Sequence, residues 1–264
     1  EIFLTNNLPK NYFLINLFYK MPEFVILSFA IFASLFFKIG PYFKKQFKGF
    51  YFKIFIILII ILFPSLLFLF SPYSIYDGVR LFLYLIPFIC IIPALVIFFL
   101  IKMIKNYLYK FIFLLLISLK LFLLFNFFSL TPYHYVYLNI FAGKYSENSK
   151  KFENDYWGVS TKKLITSINE NKKILENPKN KIAICGLEKS TQKYYLKKIK
   201  NLKFKLVNLD ENFDYIIMNN RVIMDPENES YDPNKAQTCF QKYSGKDLIK
   251  VERRGLILSK ITKI

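Results

Sequence analysis

The chain has 264 residues and a formal net charge of +19, yet 54% of its residues are hydrophobic and it holds 31 Phe and 19 Tyr. One uniform water-soluble globule is excluded, because apolar and charged residues in these proportions must be segregated along the chain. Up to residue 131 there are 12 Lys/Arg against 3 Asp/Glu, and afterwards 25 against 15, so both parts are basic and only the first is greasy. No nucleic-acid partner is indicated, since the charge comes without a basic helix, zinc-ligand spacing or an RNP-like aromatic pattern.

Residues 1–20 read as the end of an extracytoplasmic loop, and because the chain opens on Glu1 inside such a loop, an upstream membrane portion is expected. Four apolar segments follow, at 22–37, 54–70, 81–101 and 111–130, near the roughly 20 residues that cross a bilayer. The first is short and opens on Pro22 and Glu23, which leaves a buried amphipathic helix as its alternative. Pro64, Pro87 and Pro93 suit a packed membrane bundle, where neighbouring helices re-satisfy the freed backbone groups. Lysines 38, 44, 45, 48 and 53 flank or fill one short loop, and lysines 102, 105 and 110 another, so both face the cytoplasm by the positive-inside rule. The loop "SPYSIYDGVR" (71–80) has Arg80 as its single base and faces out, as does the chain beyond 131. Lys120 sits mid-span in "LLLISLKLFLLF". Such a lysine is read either as lining the bundle interior or an aqueous cavity, or as a snorkelling side chain.

The next stretch, "TPYHYVYLNIFAGKYSENSKKFENDYWG" (131–158), carries the single histidine, His134, the single tryptophan, Trp157, and tyrosines 133, 135, 137, 145 and 156. Dense amphipathic rings directly after a span mark a membrane boundary. A soluble grammar follows: an amphipathic helix at 160–175 with Ser160 as its N-cap, a strand at 181–185, a helix at 190–200, strands at 204–209 and 214–219, a polar loop at 225–245, and two strands within 247–261 about a turn at Gly255. The fold class expected is an α-helical polytopic membrane bundle of about four transmembrane helices, followed by a small α/β extracytoplasmic domain. The domains are 1–20 (loop end), 21–131 (bundle) and 132–264 (extracytoplasmic domain).

Cys90 lies inside the third span as a small apolar residue. Cys185 and Cys239 both fall on the outward, oxidising side, where a bridge between them would persist. One histidine and no paired-cysteine spacing argue against a metal or Cys/His site, and the lone Gly186 after the strand 181–185 does not make a phosphate loop. Asp77 and Arg80, just outside the third span, are read either as an ion pair anchoring a helix end or, through the planar guanidinium of Arg80, as a phosphate clamp at headgroup depth.

"IYDGVRLFLYLIPF" (75–88), "PYHYVYLN" (132–139) and "FENDYWG" (152–158), with "NYFLINLFYKMPEFVI" (11–26) before a late span, resemble the C-terminal portion of bacterial membrane glycosyltransferases of the protein mannosyltransferase type (glycosyltransferase family 39, GT-C superfamily). The likeness covers residues 11–158 in order and spacing. It departs at Leu81, where the family often has histidine, and at His134, which takes the place of a glutamine. The resemblance implies an inverting sugar transfer from a polyprenyl-phosphate-linked donor to a glycan, lipid or protein acceptor on the outer face of the bacterial inner membrane, without a firmly implied cofactor or metal. A carboxylate would act as general base and cations would stabilise the departing lipid phosphate. Since the family's acid lies in its first extracytoplasmic loop, no catalytic residue is expected within this chain, which alone should be inactive. The substrate-binding set it implies joins Arg80 on the lipid phosphate, Asp77 orienting it, and Tyr76, Tyr133, His134 and Tyr137 as an aromatic ledge. Asn139 would line the sugar path, Lys120 is a further candidate, and Asp155, Tyr156 and Trp157 would seat the outward domain against the ledge. Membrane lipids are expected partners. A non-enzymatic polytopic protein with an extracytoplasmic binding domain, and a transporter subunit with Lys120 on its pathway, remain the alternatives.

Overall fold

A computed structural model describes residues 9–70, 79–150, 152, 155, 158–170, 180–187, 189–198, 204–223 and 237–264, with Arg80 and a few others described by backbone alone. The chain divides into two compact units that interleave in sequence. One runs to Phe128 and takes in Leu138–Ala142; the other holds Ser129–Tyr137 and Gly143–Ile264.

The first unit is helical: α1 (Tyr12–Lys20), α2 (Glu23–Ser34), α3 (Phe36–Lys44), α4 (Phe50–Phe70), α5 (Ile86–Lys102), which a 3-10 turn at Arg80–Leu85 leads into, and α6 (Tyr107–Leu130). Three stretches are long and apolar enough to cross a membrane, Phe50–Phe68, Leu81–Lys102 and Tyr107–Leu130, and α1 with α2 makes a fourth if that pair, bent by 108°, counts as one span. The first expected span, 22–37, is therefore not one straight helix. Pro22 disfavours a helical residue before it, Met21 is accordingly extended at ψ 131°, and Leu35 at ψ 12° ends α2 before α3 begins. Twelve helical residues rise only ~18 Å, too little to cross alone. Pro64 and Pro93 lie inside α4 and α5, as the bundle reading anticipates. Ile92, Val96 and Phe99 of α5 pack with Ile31 and Phe32 of α2 and Ile54 of α4. The last helix, α6, instead leaves Phe111, Leu121, Phe125 and Phe128 exposed, a face suited to hydrocarbon.

The second unit is a mixed five-stranded sheet. Its strands are β1 (Lys181–Cys185), β2 (Lys205–Leu206), β3 (Tyr215–Asn219), β6 (Lys246–Arg253) and β7 (Leu256–Lys263), in the order β2-β1-β3-β7-β6; β4 (Val222–Ile223) and β5 (Gln237–Thr238) form a separate short pair. The first three strands are parallel, while β7 is antiparallel to both β3 and β6. α8 (Lys189–Lys197) lies in the crossover between β1 and β2, the kind of connection parallel strands require. "KIAIC" and "YIIMN" read as unbroken apolar runs because both faces of the sheet are covered. Ile182, Ile184 and Ile217 pack with Leu164, Ile165 and Ile168 of α7 (Ser160–Glu170), whereas Ala183, Cys185, Ile216 and Met218 pack on the opposite side with Cys239 and Phe240. The 247–261 hairpin turns on Arg254 (φ 51°) and Gly255 (φ 78°). Positive φ at both central residues is what a two-residue hairpin loop requires.

Several expected bounds shift. The helix expected at 160–175 is described to Glu170, with its remainder outside the described residues, and the strand expected at 204–209 contracts to two residues. Within the expected polar loop at 225–245, β5 and the one-turn helix α9 (Cys239–Lys242) form, with Thr238 and Gln241 closing a capping box.

Candidate functional site

Directly after α6 the chain enters the sheet unit. The Thr131–Pro132 bond is cis, and Tyr133 is buried with the guanidinium of Arg253 over its ring, 5.1 Å from the centroid. Burial pushes the Tyr133 phenol up, with Asp155 adding to the shift and Arg253 opposing it. His134 is half-buried, its Nε2 3.1 Å from Thr131 Oγ1.

Tyr135 and Asp155 join the two segments whose sequences resembled the transferase motifs. The Tyr135 hydroxyl donates to the Asp155 carboxylate across 20 positions. The Ser160 hydroxyl donates to the same carboxylate, and the Ser160 N–H approaches its two oxygens at 3.3 and 3.4 Å. The Ser160 and Ser259 hydroxyls lie 2.6 Å apart, which ties α7 to β7. The backbone carbonyl of Asp155 accepts from Gly158 N–H at 2.8 Å and from Asn219 Nδ2 at 3.1 Å. Asp155 holds φ 40°, a conformation that Asp tolerates better than most residues. Burial raises the Asp155 carboxyl above its ordinary range, opposed by the hydrogen bonds from Ser160, Tyr135 and Val159. Ser160 is therefore the first residue of α7 rather than its cap, and Asp155 caps the helix from five positions upstream.

Asp155 is fully buried and turned to protein donors, so it fastens the segment that carries it. Asn139 behaves alike within the helical unit. Its Nδ2 donates to Phe18 O at 2.6 Å and to Met21 O at 3.0 Å, while its own N–H reaches Tyr19 O at 2.9 Å. These carbonyls lie where α1 breaks before Pro22, and that of Phe18 also accepts the Met21 N–H at 3.3 Å. The buried Glu23 accepts the N–H of Ile140 at 2.8 Å. Tyr133, His134 and Tyr137 of the expected ledge belong to the sheet unit, and Asn139, expected on the sugar path, to the helical one.

Lys120 is exposed on α6 and not turned into the packed interior. Arg80 starts the turn leading into the apolar run Leu81–Lys102, with its side chain outside the description; Tyr76, Asp77, Tyr156 and Trp157 lie outside the described residues. Cys185 and Cys239 are joined in a disulfide with their Cα atoms 5.9 Å apart. The bridge fits an oxidising, extracytoplasmic setting. Among the described residues no group of three His, Cys, Asp or Glu side chains is placed to hold a metal ion.

Sequence reasoning passed over Ser259, Asn219 and Arg253, and took Glu23 only as the acidic opening of a short apolar run. No family model matches the chain, and no curated protein or solved structure matches it.

Proposed function

We propose that the chain is the C-terminal part of an integral-membrane glycosyltransferase that moves a sugar from a polyprenyl-phosphate-linked donor to an acceptor on the outer face of the bacterial inner membrane. The observation that carries the reading is the union of two motif-like segments. "PYHYVYLN" and "FENDYWG", alike in order to the transferase pattern, meet through Tyr135 and Asp155 immediately beyond the apolar helix ending at Leu130. A lipid-linked sugar presents its phosphate at just such a membrane boundary. The boundary also suits Arg80, whose guanidinium would grip the phosphate bidentately. No residue described above is assigned the general base in this reading.

The test uses the complete reading frame reconstituted in liposomes with radiolabelled polyprenyl-phosphate hexose. Label should pass to an acceptor or to water, and Arg80→Lys should depress that turnover by about an order of magnitude through loss of the bidentate fork, leaving expression and melting unchanged. Wild-type turnover in Arg80→Ala would reduce the residue to an anchor. A folded complete protein that releases sugar from no polyprenyl-phosphate donor would end the transferase reading.

A further inference from the structure

The turn of the β6–β7 hairpin returns to the point where the chain leaves its last apolar helix. Arg253 Nε donates to the carbonyl of Thr131 at 3.0 Å, and Thr131 is the first residue past α6. A second hydrogen bond of 2.8 Å runs from Nη1 to Glu252 O, and the guanidinium stacks over Tyr133. Beside it Arg254 lies over the Tyr145 ring at 4.5 Å. A Cβ built on Gly255 would meet Ser146 Cβ at 3.6 Å, in ordinary contact, so the turn rests on the 145–146 segment.

Two hydrogen bonds and a ring face fix the Arg253 fork before any ligand arrives. A guanidinium has five N–H donors, and two are used on backbone carbonyls, so the rest of the fork remains for a further acceptor. Arg254, next in sequence, and Lys144, next to Tyr145 in sequence, are exposed; the acids on the same two segments, Glu147 and Glu252, are exposed as well. Through Thr131, the pinned charge is one hydrogen bond and one residue from the end of a membrane-crossing helix. At that depth the abundant acceptors are lipid phosphates. Guanidinium matches phosphate geometry, is weakly hydrated and stays charged at every relevant pH.

We propose that Arg253 and Arg254 form a docking contact for the phosphate of anionic phospholipid headgroups in the leaflet facing the sheet unit. The contact fastens the sheet unit to the bilayer surface. It rests on the apolar helices and the hairpin geometry, and stands whether or not the protein is a transferase.

The experiment is native mass spectrometry of the full chain in detergent, titrated in parallel with phosphatidylglycerol and phosphatidylcholine. Wild type should retain phosphatidylglycerol preferentially, and Arg253→Gln/Arg254→Gln should lose that preference by roughly an order of magnitude, as expected for removal of charge-assisted hydrogen bonds. Arg254→Gln alone alters an exposed side chain and leaves the Tyr133 stack intact, so it should lose part of the preference while the protein still folds, with only the small loss of melting temperature expected from its exposed contact with the Tyr145 ring. That variant decides the matter if the double variant fails to fold. Equal retention of both lipids by wild type, or wild-type preference in both variants, would overturn the proposal. So would displacement by millimolar inorganic phosphate, which marks a free-anion site, or retention of polyprenyl phosphate but not phosphatidylglycerol, which assigns the contact to a lipid-linked donor.

Discussion

Tyr135→Phe removes one hydroxyl from the buried carboxylate and little else, since the ring remains to pack against the sheet unit's core. Asp155 keeps the Ser160 hydroxyl and the longer Ser160 N–H contacts but loses a charge-assisted donor, at a cost of about 1.5–3 kcal/mol. For a unit of this size, about 4 °C of melting temperature accompanies each kcal/mol, so the expected drop is about 6–12 °C. The assay is unfolding of the full chain in detergent followed by fluorescence of Trp157, the single tryptophan, two positions along the chain from Asp155. Burial holds the Asp155 carboxyl above the reference value of 3.8, so the folded state binds its proton more tightly than the unfolded state. Stability from this group therefore falls as pH rises from 3.8 through the folded pKa, and levels off above it. The Tyr135 hydroxyl favours the ionised form, so the Tyr135→Phe penalty should be greatest above the folded pKa and shrink as the solution is acidified. An unchanged melt at neutral pH, or a penalty of constant size from pH 4 to 8, would refute the assignment of Asp155 as an ionised, donor-held hub.

With Cys90 replaced by Ala, a membrane-impermeant thiol reagent applied from outside should label a cysteine at Ser146 and spare one at Gln46; the reverse pattern overturns the orientation drawn from the lysine-rich loops. The Cys185–Cys239 bridge closes a separation of 54 residues and should contribute up to ~4 kcal/mol by constraining the unfolded chain, so unfolding with and without reductant measures it, and free thiols by mass analysis remove it. Gly186 holds φ 72°, and a Cβ there would approach Arg221 Cβ and Cys239 Sγ at 2.9 Å. Gly186→Ala should therefore cost about 1–3 kcal/mol in the same unfolding assay, and a neutral result would mean that the β1–α8 turn can relax.

What could be read from the sequence divides along the range of the forces involved. Hydrophobic length announces α4, α5 and α6, because crossing a bilayer demands about 20 apolar residues in a row and few other folds tolerate such runs. The strands β1 and β3 were similarly visible as short apolar runs, and the hairpin as two such runs about Gly255. The first expected span, 22–37, breaks at Leu35, and the bend just before it draws on distant partners: Pro22 turns the chain, and Asn139, more than a hundred positions on, donates to the carbonyls of Phe18 and Met21. The same limit governed Asp155. In the sequence alone, an aspartate before Tyr-Trp-Gly shows no sign of which donors it meets. Its partners are Tyr135, 20 positions earlier, and Ser160, which itself approaches Ser259 across 99 positions, and no local pattern encodes such separations. A buried carboxylate persists only where donors converge on it, so burial of Asp155 requires that the post-span segment, α7 and β7 assemble together. Tyr135, Asp155 and Ser160 are therefore joints that hold these elements of the sheet unit together.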